Sequence, residues 1–79
     1  MESKYKTEIF GKNIAYLRKS NKLSKKKMAE ILGIGIKSLE KLENGILPPR
    51  LSVKIIFNIY YSFGILPKDQ FKPLYEEYT

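Results

Sequence analysis

Ser24-Lys25-Lys26-Lys27-Met28-Ala29-Glu30-Ile31-Leu32-Gly33-Ile34-Gly35-Ile36-Lys37-Ser38-Leu39-Glu40-Lys41-Leu42-Glu43-Asn44-Gly45 is punctuated as two short helices around a turn. Ser24 is a good N-cap, since its hydroxyl can accept from a first-turn amide. Met28, Ile31 and Leu32 form an apolar stripe at helical spacing. Gly33 is the residue expected just past a helix end. Gly33-Ile34-Gly35 is too short and too glycine-rich for anything but a tight turn. The next segment runs over residues 36–44, with Leu39 and Leu42 facing inward and Gly45 ending it.

Working outward, no strand pattern is found; apolar residues recur at helical spacing between clear stops. Upstream, a helix is expected over residues 8–21 with Thr7 as N-cap and Phe10, Ile14 and Leu17 on one face. Residues 1–7 then read as an arm outside it. Downstream, Pro48-Pro49 marks a loop. Ser52 caps a fourth helix with the stripe Val53, Ile56, Phe57, Tyr60 and Phe63, ended by Gly64. Pro67 suits the first position of a fifth helix over residues 67–78, which Pro73 must interrupt or restart. The expected fold is therefore all-α: five short helices in a single domain over residues 1–79. Residues 24–44 have the layout of a helix-turn-helix unit.

Composition removes most chemistries. The 79 residues include no Cys and no His. Disulfides, thiolate metal sites and every scheme that needs imidazole are excluded. The acids are scattered and form no identifiable acid–base pair, so the chain is expected not to be an enzyme and to need no cofactor or metal. The 43% hydrophobic content is enough for a core. No stretch reaches the roughly 20 apolar residues of a membrane span, and residues 1–10 lack the apolar run of a signal peptide. With the missing cysteines, this predicts a cytoplasmic protein.

The net charge is +7, and its location is informative. Residues 11–50 hold ten Lys or Arg and three acids, while the segments on either side are balanced. A field of one sign, so localised, suits a polyanionic partner, either nucleic acid or an anionic membrane, or else serves solubility. The third helix favours the first. At about 100° per residue, turning Leu39 and Leu42 inward leaves Lys37, Glu40, Lys41 and Asn44 on the opposite face. Lys37 and Lys41 are an i, i+4 pair of like charge, which opposes helix stability by a few tenths of a kcal/mol. A helix lying in the groove of a polyanion has a reason to carry that cost, because lysine donates to guanine O6 and N7. Ser38, beside that face, contacts a base or phosphate or is a neutral spacer.

The order and spacing of three pieces resemble the Cro/C1-type (Xre-like) helix-turn-helix family. They are Leu17-Arg18-Lys19-Ser20-Asn21-Lys22-Leu23-Ser24, then Met28-Ala29-Glu30-Ile31-Leu32-Gly33-Ile34, then Leu39-Glu40-Lys41-Leu42-Glu43-Asn44-Gly45. The last is especially like phage repressors of that group, and Phe63-Gly64-Ile65 also fits. The likeness covers residues 10–71. It implies a lambda-repressor-like domain of five helices that inserts its third helix in the major groove of double-stranded DNA. It also implies a bacterial or phage transcription regulator, and such domains often bind two-fold-symmetric operators as homodimers.

The resemblance also assigns residues. Lys25 matches the family's phosphate-contacting position after the cap, and a helix N-terminus itself favours phosphate. Lys25, Lys26 and Lys27 oppose the macrodipole there, at about 0.3–1 kcal/mol each, which solubility alone does not require. Lys26 and Lys27 are helpers; Arg50, Lys12 and Lys22 are placed to reach the backbone. Arg18 matches the family residue that pairs with Glu43. Glu43 lies at the core edge on the helical wheel, where an unpaired carboxylate would cost several kcal/mol, so an Arg18–Glu43 bridge is expected, with Arg18 also near a phosphate. Two departures bear on the target sequence. Ile36 stands where a polar base-reading residue is common; it touches a thymine methyl or packs on the turn. Gly35 replaces a capping Ser or Thr.

The tyrosines are segregated from the lysines, which counts against single-strand recognition by stacking. Tyr61 falls off the buried stripe and suits a dimer contact. The leading expectation is a sequence-specific repressor that occupies an operator. The alternative is a DNA-binding antitoxin or mobile-element control protein whose C-terminal helices bind a protein partner. A basic module on anionic membrane is disfavoured, because each apolar stripe is needed by the core rather than by lipid.

Overall fold

Helix α1, Glu2–Ser20, is the longest element of the computed structural model. The structure describes residues 2–47 and 53–75, with side chains from Thr7 onward. The expected start at residue 8 is too late by six residues. Glu2 to Thr7 contain no Gly or Pro, and extending a helix that is already nucleated is far easier than starting one. Residues 1–7 are thus not an arm as far as they are described, and Thr7 lies within the helix.

Helices α2, Lys25–Leu32, and α3, Ile36–Glu43, form where expected. Ser24 Oγ accepts from the Lys27 amide at 3.0 Å. Gly33 adopts φ 76°, the left-handed region that glycine enters without a Cβ clash. Its amide and that of Ile34 both bond the Ala29 carbonyl, at 2.8 and 3.0 Å, which closes α2 and turns the chain into α3. Gly35 is extended at the α3 N-cap and supplies no side-chain bond.

Helix α4 is Val53–Phe63. The expected caps and loop at Pro48, Pro49 and Ser52 lie outside the described residues. The buried face of α4 differs from the expected stripe. Ile55 and Ile59 are buried and Ile56 and Phe63 half-buried, whereas Val53, Phe57 and Tyr60 are exposed. Apart from the stripe Lys54, Asn58 and Ser62 this helix is apolar, so periodicity did not choose which part of the broad apolar side is buried.

The fifth helix is replaced by a 3-10 turn, Pro67–Asp69, followed by irregular chain to Tyr75; residues 76–78 lie outside the described residues. Pro73 has no amide to continue a helix, and its ring would meet the carbonyl four residues earlier. The buried Asn13 of α1 instead satisfies this segment. Its Nδ2 donates to the carbonyls of Gln70 and Lys72, at 2.7 and 2.8 Å, and its Oδ1 accepts from the Leu74 amide at 2.9 Å. Gln70 Nε2 donates to the carbonyls of Ile56 and Ile65, tying α4 to the same segment. Phe71 stacks on Phe10, with ring centroids 4.7 Å apart.

The described residues form four helices and a 3-10 turn, with no strand among them. The core is Phe10, Ile14 and Leu17 of α1, Met28, Ala29 and Leu32 of α2, Leu39 and Leu42 of α3, and Ile55 and Ile59 of α4. Helix α3 packs on α1 and α2, and α2 packs on α4. One side of α3 is left facing outward.

Candidate nucleic-acid interface

Two devices hold α3 in place. The first is the ion pair: Arg18 Nε donates to Glu43 Oε2 at 2.7 Å and Nη2 donates to Oε1 at 3.0 Å. This fork-to-fork geometry fixes direction as well as distance. The side chains are only 13% and 11% exposed, so the pair is largely out of water. The hydrogen bond to Glu43 pushes the Arg18 pKa above the ordinary arginine value, desolvation opposes it, and coulombic attraction adds. The second device is Gly11. A Cβ there would fall well inside contact distance of the Leu42 carbonyl oxygen and press on the Gly45 backbone. The absence of a side chain lets α1 cross directly over the end of α3. The sequence signal for Gly11 is a glycine one residue after Phe10, within an otherwise well-formed helical pattern.

With Leu39 and Leu42 buried, Lys37, Ser38, Glu40, Lys41 and Asn44 are all exposed. Ile36 is 43% exposed. The Asn44 side chain donates to the Glu40 carbonyl at 2.9 Å, closing the C-terminal end of α3.

Beside this face lies a polar groove where α1, α2 and α3 meet. Ala15, Arg18, Lys19, Lys25, Glu40, Glu43 and Asn44 line it. The structure therefore brings Arg18 and Lys25 together from two different helices. Lys25 Nζ lies 3.4 Å from Glu40 Oε2, an exposed contact between α2 and α3. That contact and the place of Lys19 in the groove were not foreseen, because nothing in residue spacing reports contacts across a turn. Lys26 and Lys27 are exposed in the first turn of α2, which contains no acid. The first amides of such a helix have no intrahelical acceptor.

The remaining candidates are more dispersed. Lys22 is exposed in the turn after α1, with φ 57°. Lys12 lies over the Tyr75 ring at 5.9 Å from its centroid. Arg50 lies outside the described residues. Among the described residues, no group of three or more His, Cys, Asp or Glu could hold a metal ion, and no helix is long and apolar enough to cross a membrane.

Val53, Phe57, Tyr60 and Tyr61 of α4 are exposed, Tyr61 most of all at 75%. Phe57 stacks on Tyr61, with centroids 6.1 Å apart.

A family model described as a helix-turn-helix domain matches residues 11–76. No curated protein and no solved structure matches the chain.

Proposed function

The chain belongs to the helix-turn-helix domain family, and from that premise we propose that it is a sequence-specific transcriptional repressor of the Xre-like kind. It acts in the cytoplasm by occupying a double-stranded operator, with α3 in the major groove. The observation that carries this reading is the outward face of α3, with Lys37 and Lys41 exposed above a buried Leu39–Leu42 stripe. Lys37, Lys41, Ser38 and Ile36 read base edges, with Ile36 suited to a thymine methyl. Lys25, Lys26, Arg18 and Arg50 hold phosphates and set the register. Arg18 contributes mainly by fixing Glu43, since two of its donors are already engaged there.

The test is selection from genomic fragments, followed by footprinting and titration over a range of salt. With about six phosphates contacted, log affinity should fall against log salt with a slope near −5. Lys41→Ala should change sequence preference. Lys25→Ala should weaken all sequences alike and flatten the slope by about one unit. Equal effects of both substitutions on selected and random duplexes would overturn these roles, and failure to select any duplex would overturn the function.

Homodimerisation through α4 is part of the proposal. Helix α4 carries a single charge, Lys54 in its first turn, and residues 55–67 carry none, while the excess of +7 lies in residues 11–50. Two such cationic copies repel least when they meet on the neutral side. The exposed Phe57 and Tyr61 there are of the kind enriched at interfaces. Sedimentation should show a dimer that Tyr61→Arg converts to monomer. A monomer at operator-binding concentrations would refute the dimer, and stoichiometric capture of a different protein on that face would favour the antitoxin-like alternative.

A further inference from the structure

Glu40 is the acid on the outward face of α3. At about 100° per residue it sits roughly 60° around the helix from Lys37 and 100° from Lys41. Its carboxylate is turned toward α2, 3.4 Å from the ammonium of Lys25. The two side chains are 47% and 48% exposed, so the pair is weak and easily exchanged for other partners. Glu40 therefore stands where the proposed backbone contact, Lys25, gives way to the proposed base contacts, Lys37 and Lys41. An acid placed there is unfavourable in general, since it meets phosphate with like charge. It becomes favourable only where a donor is offered, and in the major groove the cytosine N4 amino group is one that pairs with a carboxylate.

We propose that Glu40 is a specificity-determining residue that reads a cytosine, and that Lys25 holds its carboxylate until DNA is bound. This rests on the DNA-binding reading above. On a duplex with cytosine at the facing position, Lys25 moves to a phosphate and Glu40 to the amino group, so one exposed ion pair is exchanged for two contacts. On guanine or thymine the Glu40 carboxylate is released with no donor to meet it, and on adenine the N6 donor lies beside the N7 acceptor, which repels a carboxylate. The acid thus lowers affinity for random DNA and sharpens the choice of site.

The experiment is repeated duplex selection with wild type, Glu40→Gln and Lys25→Ala, each followed by titration on selected and random duplexes. Wild type should select cytosine at one position, by roughly tenfold over other bases. Glu40→Gln should select adenine there, because a glutamine amide matches adenine N6 and N7. It should also bind random duplex a few-fold more tightly, with one fewer acid opposing the phosphates. Lys25→Ala should retain the cytosine preference. An unchanged preference in Glu40→Gln would overturn the assignment. Loss of the cytosine preference in Lys25→Ala would also overturn it, since Glu40 would then act only by orienting Lys25. Wild type that selects no sequence would overturn the DNA reading itself, an outcome distinct from a discriminating wild type that Glu40→Gln leaves unaltered.

Discussion

The α2–α3 side and the α4 side of this small domain use opposite means to the same end. Helix α3 has one apolar stripe, a short approach to α1 across Gly11 and a nearly buried ion pair, and it keeps its other side wet and charged. Helix α4 is apolar on both sides, and the irregular chain after it is held by the amides of Asn13 and Gln70 rather than by a helix. The contrast teaches that the charged side is built for direction and the neutral side for closure. The proposed entry of α3 into a groove needs its angle fixed, and bidentate and steric contacts fix angle better than apolar burial, which is non-directional.

Substitutions can separate the two sides. The largest effect is expected for Glu43→Ala, which strands a mostly buried guanidinium. Stability should fall by about 3 kcal/mol, the low end for breaking a buried pair, as read by urea denaturation. Because the pair raises the Arg18 pKa, its stabilisation is fully present below the ordinary arginine value and is lost only as pH rises through the folded value. The difference between wild type and Glu43→Ala should therefore stay constant across the mildly alkaline range. Gly11→Ala should cost about 2–3 kcal/mol, since the opposing atoms are backbone and α3 must shift to admit the methyl group. Both variants should lose DNA affinity under conditions where they remain folded.

Asn13→Ala probes the other side. It leaves the Leu74 amide and the carbonyls of Gln70 and Lys72 without their shared partner, at about 2 kcal/mol. Hydrogen exchange at Leu74 should accelerate, while folded protein should bind DNA as before. If binding is lost along with protection, the two sides are not independent. The smallest effect belongs to Gly35→Ser. A Cβ there meets nothing within 4 Å, and the hydroxyl supplies the missing α3 cap, so stability should rise by a few tenths of a kcal/mol in thermal melts.

These two sides were also unequally legible. The α2–turn–α3 unit could be read because Ser24, Gly33 and Gly45 mark its ends and Leu39 and Leu42 set its inner face. The Arg18–Glu43 pair followed from the helical wheel together with the family likeness. Helix α4 was placed correctly but rotated: Ile56 and Phe63 of the expected stripe are half-buried, while Ile55 and Ile59 take the core in place of Val53, Phe57 and Tyr60. The C-terminal chain was misread as helix because its backbone is satisfied by a side chain 57 residues away, which no local pattern reports. Glu40 and Lys25 were each visible, but their contact depends on the angle between two helices and had to be seen.

The central claim is that the outward face of α3 enters duplex DNA while α4 stays clear of it. Amide chemical shifts followed during titration with a selected duplex test it most directly. The largest changes should fall in α3 and the first turn of α2, with Val53–Phe63 little altered by DNA itself. Changes concentrated in α4, or spread evenly over the chain, would contradict the account.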